Sequence, residues 1–228
     1  MTLVEDAAES LGATYKGRQT GTTAQFSLLS FNGNKIITTT GGGMVLAKDE
    51  TAIQRMKKWA SQSREPSAEY VHREVGYNYR MSNVLAGIGR GQLKVLDSRV
   101  AARRQVAKRY ADAFSDIPGF TLQPEASWGT HTRWLSVMQI DPREQAIRAG
   151  ALVAALEEAN IETRPVWRPM HMQPVFADAP RVGGEVAERI FANGICLPSS
   201  SSLSRADQSR VVEAVRRHLT PMRLQRTA

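Results

Sequence analysis

Short apolar runs separated by polar turns dominate the first fifty residues. The runs Leu3–Asp6, Phe26–Phe31 and Gly43–Ala47 have the length and composition of strands. Continuous apolar character is typical of strands buried in parallel sheets, and ligand-contacting residues collect at their carboxyl ends. We therefore predict a buried first strand with Asp6 at its functional end, in a sheet of few strands.

A helical period replaces the strand pattern further along the chain. One helix is predicted over about 49–62, and a long one over about 84–115, with Ser82 or Asn83 as its cap and a Pro-Gly pair after it. The apolar positions of the long helix predict a buried stripe: Leu85, Ile88, Leu93, Leu96 and Val100. A helix of this length is expected to link two lobes.

The remainder of the chain alternates between the two patterns. Strand-like segments occupy 133–140, 161–166 and 195–197, and helical segments occupy 146–159, 184–193 and 204–219. Ser204 and Asp207 resemble a helix-capping pair. The sequence thus predicts three parts: 1–83, a connecting helix at 84–117, and a small α/β domain at 118–228.

Charge adds little to this picture. The 30 basic and 22 acidic side chains give a formal net charge of +8, and hydrophobic residues make up 42% of the chain, enough for a core. Much of the basic excess lies in the long helix and the tail: Arg99, Arg103, Arg104, Lys108, Arg109, Arg216, Arg217, Arg223 and Arg226. Solvated faces have this composition, and no nucleic-acid-binding motif accompanies it. We do not expect a nucleic-acid partner.

Cysteine and histidine usage narrows the function classes further. Cys196 is the single cysteine, and the four histidines are scattered, so neither an intrachain disulfide nor a metal site is predicted. The sequence shows no secretory signal and no apolar run near the ~20 residues of a membrane helix. We expect a cytoplasmic protein that does not cross a membrane.

The candidate chemistry centres on Lys35, which follows a predicted strand and lies beside a glycine-rich loop. An amine on a turn near an acid and hydroxyls suits covalent chemistry with an aldehyde. In pyridoxal phosphate (PLP), a carboxylate opposite the ring nitrogen keeps that nitrogen protonated and the ring electron-withdrawing. Asp6 is the candidate for this carboxylate. Ser30 is a candidate donor to the cofactor phosphate. Taken singly, a loop lysine, a strand-end aspartate and a serine are ordinary structural residues.

Several separated motifs make the combination specific. They are Val4–Gly12, Ser30–Thr39, Gly41–Met44, Val75–Asn83, Glu162–Trp167, Met170–His171 and Ile195–Ser199. In this order they resemble the DegT/DnrJ/EryC1/StrS sugar aminotransferases, over nearly the whole chain. The local sequence around Lys35 is similar to that of enzymes that aminate UDP-4-keto-6-deoxy-N-acetylglucosamine on the way to bacillosamine.

The resemblance implies a fold and a set of roles. The fold is that of fold-type I (aspartate aminotransferase-like) PLP enzymes, with part of the α/β large domain followed by a small C-terminal α/β domain. Lys35 bonds to the cofactor and shuttles protons, Asp6 pairs with the ring nitrogen, and Ser30 contacts the phosphate. Glu9 lies beside the ring, where Gln is common. Asn78 reaches the phosphate of a neighbouring subunit's cofactor, so a homodimer is expected.

The resemblance also implies two substrates. The acceptor is a nucleotide-linked keto sugar, with UDP as the expected nucleotide, and the amino donor is glutamate. Arg164, Trp167 and His171 match the segment near the sugar nucleotide. Two of them have structural interpretations as well, because Trp167 can simply pack and His171 can be a structural hydrogen bonder.

The chain departs from the family at its N-terminus, where members are longer. The part that is not matched supplies a helix start that grips the phosphate and an aromatic residue that stacks on the ring. We therefore expect a truncated fragment, a chain completed by a separate N-terminal half, or a longer protein with another start. We expect this chain alone to bind PLP weakly or not at all.

Two alternatives stay open at this stage. One is a sugar dehydratase of the same fold, but those relatives usually replace the lysine with histidine, so Lys35 argues against it. The other is an inactive remnant or a basic interaction protein, which the arginine-rich helix permits.

Overall fold

The structure is a computed structural model that describes residues 1–219, and the chain divides into two units. Unit 1 comprises Met1–Val100 and Glu125–Trp134, and unit 2 comprises Ala101–Pro124 and the residues from Leu135 onward. The division of the sequence at 83 and 117 stays a prediction.

Ten strands and six α-helices build the described part of the chain. The strands are β1 Val4–Asp6, β2 Thr14–Tyr15, β3 Arg18–Gln19, β4 Phe26–Ser30, β5 Gly43–Ala47, β6 Phe120–Leu122, β7 Gly129–Thr130, β8 Ser136–Ile140, β9 Arg164–Pro165 and β10 Gly194–Leu197. The helices are α1 Glu50–Ala60, α2 Asn83–Leu93, α3 Leu96–Ala113, α4 Ala149–Glu158, α5 Glu185–Asn193 and α6 Arg205–His218, with short 3-10 helices at Met170–Met172 and Pro174–Phe176. The sequence missed the two-residue strands β2, β3 and β7, which are too short to show a period.

The main sheet of unit 1 has the strand order β1-β4-β5. β1 pairs in parallel with β4, with Asp6 opposite Leu28, whereas β5 is antiparallel to β4. The prediction that the first strand is buried was wrong, because Leu3 and Val4 are more than half exposed. β1 is an edge strand, and no described element covers these side chains.

A second small sheet, with the order β3-β2-β7, joins the 125–134 segment to the rest of unit 1. Thr14 lies opposite Thr130, and the N–H of Lys16 donates to the Trp128 carbonyl at 2.7 Å. The rings of Tyr15 and Trp128 meet edge to face, with centroids 5.2 Å apart. This pairing connects residues more than a hundred positions apart in sequence.

α1 and α2 each begin after a polar cap, and the second of these caps, Ser82, was one of the two predicted. The Asp49 carboxylate accepts the N–H groups of Thr51 and Ala52 at 2.9 and 3.2 Å, and the Ser82 hydroxyl accepts the N–H of Leu85 at 3.3 Å. Such caps stabilise a helix by about 1 kcal/mol.

The long helix predicted over 84–115 is divided into α2 and α3. The break lies at Lys94 and Val95, which form a turn. Neither residue is a proline or glycine, so the sequence carries no ordinary stop signal there.

The buried stripe predicted for the long helix was also wrong. α2 has no buried residue, and Ile88 and Leu93 are 43% and 56% exposed. An apolar stripe is buried only where a second layer packs on it, and no described element buries these two side chains.

Unit 2 has a closed apolar core around a four-stranded antiparallel sheet, with the order β6-β8-β10-β9. The core includes Val106, Tyr110, Phe114, Met138, Leu152, Leu156, Ile195, Leu197, Val211 and Val215. α6 is capped by Ser204, whose hydroxyl accepts the N–H of Asp207 at 3.0 Å, as the capping pattern predicts. The tail residues Arg223 and Arg226 lie outside the described residues.

We expect Leu152→Ala to lower the free energy of unfolding by about 2–5 kcal/mol, because Leu152 is fully buried and its truncation leaves a cavity in the core. Val186→Ala is the control: Val186 lies in α5 and is 58% exposed, so its loss should change stability by less than about 0.5 kcal/mol. Urea denaturation followed by circular dichroism measures both. Equal effects of the two variants would contradict the assignment of Leu152 to the core.

Candidate active site around Lys35

The carboxyl ends of β1 and β4 lie at the same edge of the main sheet of unit 1, because the two strands are parallel. β1 ends at Asp6, opposite Leu28, and β4 continues from there to Ser30. Ser30 in turn lies opposite Gly43, so the glycine-rich loop before β5 reaches the same edge. Ligands commonly bind at this edge of a parallel pair.

The chain after β4 folds back on itself and carries Lys35. The N–H of Thr39 and the hydroxyl of Thr38 both donate to the Phe31 carbonyl at 3.0 Å. Within this loop, the N–H of Lys35 donates to the Asn32 carbonyl at 3.1 Å. These bonds keep the lysine backbone close to the end of β4.

The amine of Lys35 contacts two side chains of unit 1. Its Nζ lies 3.0 Å from Oε1 of Glu9 and 4.5 Å from the centroid of the Trp134 ring. The Lys35 side chain is only 13% exposed, whereas that of Glu9 is 55% exposed. Sequence reasoning selected Glu9 and did not select Trp134, which is distant in sequence and carried no motif.

Asp6 and Lys35 are joined by no hydrogen bond or ion pair within residues 1–219. Asp6 Oδ1 accepts the N–H of Ala8 at 3.0 Å, and Oδ2 accepts no hydrogen bond from the described residues. Among the described residues, the Ser30 hydroxyl accepts only a weak bond, from the N–H of Asn32 at 3.4 Å. A carboxylate oxygen and a hydroxyl at the edge of the sheet, with a mostly buried lysine side chain on the next turn, fit a phosphorylated pyridine aldehyde.

Glu5 braces the same strand from its other side. Its carboxylate accepts the N–H groups of Gly21 and Thr23 at 2.6 and 3.1 Å, and the Ser27 hydroxyl at 3.4 Å. The pKa of Glu5 is lowered, chiefly by the hydrogen bond from Gly21. The anion therefore fastens the loop before β4 to β1.

Asn78 is not grouped with the other predicted cofactor contacts. It is exposed, bridges to Ser61 after α1, and lines a cleft of about 730 Å³ together with Arg64 and Arg80. None of Lys35, Asp6, Glu9 and Ser30 lines that cleft. Its assignment to a neighbouring subunit's cofactor stays a prediction.

The three predicted substrate residues belong to unit 2. Arg164 forms an exposed ion pair with Glu162 at 2.7 Å, and Trp167 is 57% exposed. His171 is mostly buried, and its Nε2 lies 2.8 Å from Oε1 of Glu188. Their role as substrate contacts stays a prediction.

His171 is held firmly in unit 2. Glu188 also accepts a hydrogen bond from Arg181 at 2.9 Å, and its pKa is lowered, first by the hydrogen bond from His171 and then by Arg181. Gly184 has φ +118°, and a Cβ there would lie 2.7 Å from Cε1 of His171. Only glycine allows the ring this position.

The fold is that of the fold-type I PLP-dependent enzymes, the class that the sequence predicts. The chain belongs to the DegT/DnrJ/EryC1/StrS aminotransferase family, whose model matches residues 1–216. The predicted family and fold type are therefore confirmed. PLP, the predicted cofactor, is the cofactor of this family of sugar aminotransferases.

Relatives of known sequence agree with this assignment. The chain is 47% identical, over 93% of its length, to EpsN of Bacillus subtilis, described as a "putative pyridoxal phosphate-dependent aminotransferase". It is 35% identical to the GDP-perosamine synthase of Caulobacter vibrioides, again over 93% of its length. It spans 55% and 57% of these two proteins, a little more than half.

A solved structure shows the same fold. The aminotransferase TlmJ from Streptoalloteichus hindustanus superposes with a TM-score of 0.86 at 27% identity, over 96% of this chain and 58% of that one. Among residues 1–219, no helix is both long enough and apolar enough to span a membrane.

We expect Glu5→Gln to lower the free energy of unfolding near neutral pH by about 1 kcal/mol, because a neutral acceptor bonds the two N–H groups less strongly. Since the folded pKa is depressed, this stabilisation is present above the ordinary pKa of 4.5 and is lost as the pH falls through the lower, folded value. The variant should therefore lose less stability on acidification. Urea melts between pH 3 and pH 7 measure this, with exposed Glu69→Gln as the control; parallel pH curves for Glu5→Gln and the wild type would contradict it.

We expect Gly184→Ala to displace the His171 ring and to cost about 1–3 kcal/mol, since it adds a clash to a left-handed backbone. Gly183→Ala is the matched control, because its φ is also positive but its Cβ would approach nothing closer than 3.7 Å. Nitrogen NMR of the His171 ring reports the displacement. An unchanged ring signal in Gly184→Ala would show that the glycine does not shape the histidine's position.

Proposed function

We propose that this chain carries the reactive lysine of an aminotransferase that moves an amino group from glutamate to a nucleotide-linked 4-keto sugar, with UDP as the nucleotide. The observation that carries the proposal is the mostly buried side chain of Lys35 on the turn at the carboxyl edge of β4, in a chain whose family match runs over residues 1–216. The name of the Caulobacter relative supports a nucleotide sugar as the substrate class. The choice of UDP rests on the resemblance of the local sequence around Lys35 to enzymes that act on a UDP-linked sugar.

PLP, when bound, supplies an aldehyde for the lysine and a ring that accepts electrons from the reacting carbon. Lys35 then acts as general acid and base, and moves the proton between the reacting carbon atoms. Asp6 holds a proton on the pyridine nitrogen through its carboxylate, which accepts a single local N–H bond from residues 1–219.

Three further residues of unit 1 complete the proposed cofactor contacts. Ser30 donates its hydroxyl to the phosphate, and Glu9 lies beside the ring. Asn78 lines a separate cleft, which is consistent with a contact to the phosphate of a neighbouring subunit. We therefore also propose a homodimer.

Unit 2 contributes the proposed sugar-nucleotide contacts. The Arg164 guanidinium is exposed and can bind the diphosphate, since its exposed partner Glu162 is readily displaced. Trp167 offers an exposed ring for packing. His171, fixed by Glu188, offers a ring of set orientation.

We expect borohydride reduction to fix a pyridoxyl label mainly on Lys35, because this amine lies beside the other proposed cofactor contacts. Excess PLP is needed, since this chain alone is expected to bind the cofactor weakly. Lys35→Arg should remove the label, and Lys48→Arg, which changes an exposed lysine, should not. Peptide mass spectrometry locates the label. A label spread evenly over the surface lysines would count against the proposed function.

Amino transfer from glutamate to a UDP-4-keto sugar should fall by about 100- to 10,000-fold in Lys35→Arg, the usual contribution of a general acid–base. Formation of 2-oxoglutarate measures this. Equal rates with GDP- and UDP-linked sugars would contradict the choice of nucleotide while leaving the reaction class intact.

A further inference from the structure

We infer that Trp134 is a positioning residue for Lys35, holding both the turn that carries the lysine and the amine at its tip. Its significance for amino transfer rests on the proposed function. The contacts between Trp134 and the lysine turn are made by protein atoms alone and involve no cofactor atom.

Trp134 fastens the turn through its indole N–H. Trp134 is 7% exposed, and its Nε1 donates to the Asn34 carbonyl at 2.7 Å. A buried indole N–H requires an acceptor, and this acceptor belongs to the residue immediately before Lys35. The turn therefore cannot move away without leaving the N–H group unsatisfied.

The ring of Trp134 also contacts the amine. The Lys35 Nζ lies 4.5 Å from the ring centroid, within the distance at which a cation is attracted to the face of an indole. Glu9 contacts the same Nζ at 3.0 Å. Glu9 and Trp134 both contact the amine, so each contributes to holding it in one place.

The two partners of Lys35 are brought together by the small sheet of unit 1. Glu9 precedes β2, Trp134 follows β7, and these two strands pair with Thr14 opposite Thr130. The same sheet thus places a residue from each end of the sequence of unit 1 beside the lysine.

The backbone just before Trp134 is held in an uncommon conformation. Arg133 has φ +55°, its side chain lies 3.9 Å from the Glu125 carboxylate, and its N–H donates to His131 Nδ1 at 2.7 Å. A left-handed non-glycine residue costs free energy and persists only where its surroundings fix it. The direction in which Trp134 leaves the chain is therefore determined by specific contacts.

The test measures how fast Lys35 is acetylated in the cofactor-free chain. Isotope-coded acetic anhydride and mass spectrometry give the rate for Lys35 relative to Lys58. Lys58 is the matched control, because it lies in the same unit and is paired with Glu65 and Glu74 at 2.9 and 3.2 Å, without contact to Trp134.

Trp134→Leu removes the ring and the N–H, and should raise the Lys35 rate relative to Lys58 by about 2- to 30-fold, the range of a cation–ring interaction. Trp134→Phe keeps a ring and loses the N–H, so it should give a smaller increase. The expected order of rates is therefore leucine above phenylalanine above the wild type.

Two results overturn the inference. The first is a ratio that stays at the wild-type value in both variants. The second is an equal rise for Lys35 and Lys58 in both variants, which attributes the change to opening of unit 1. Trp134→Phe keeps an aromatic ring in the buried position, so the test holds even where the leucine variant unfolds.

The acetylation experiment needs no cofactor, so it is independent of the proposed function. If Trp134 controls acetylation but Lys35 takes no pyridoxyl label, the positioning role stands and the proposed function fails. If Lys35 takes the label and neither variant changes its acetylation, the proposed function stands and the positioning role of Trp134 fails.

Discussion

The parallel pairing of β1 with β4 is the constraint on which the site depends. It puts the ends of both strands at one edge, so that Asp6, Ser30 and the turn bearing Lys35 leave the sheet together. Successive side chains of a strand point to opposite faces, so Glu5 can brace the loop before β4 while Asp6 stays available at the edge. A one-residue shift in this pairing would exchange the two carboxylates and remove the site.

The two units rely on different forces. Unit 2 has a continuous apolar core, whereas α1 and α2 of unit 1 have no buried residue. The candidate site is therefore built in the unit with less apolar burial, and its geometry depends on polar contacts such as those of Glu5 and Trp134. Such contacts are directional, which suits a site whose parts must be held at set distances.

The sequence predicted what is encoded locally and failed where distant segments decide. The sequence predicted the strand ends, the caps Ser82 and Ser204, and the lysine turn, because each of these features depends on neighbouring residues. The β2–β7 pairing and the contact of Trp134 with Lys35 join segments more than ninety residues apart, and no local pattern announces them. Burial of the α2 stripe was predicted wrongly because it depends on a packing partner rather than on the stripe.

The two partners of the Lys35 amine differ in how easily they can let it go. Glu9 is 55% exposed, so its carboxylate can turn towards water at little cost once the amine loses its charge. Trp134 is buried and bonded to the turn, so it cannot follow. A releasable counter-ion and a fixed ring together allow the amine to change its charge without changing its place. That combination is compatible with the proton-transfer role proposed for Lys35.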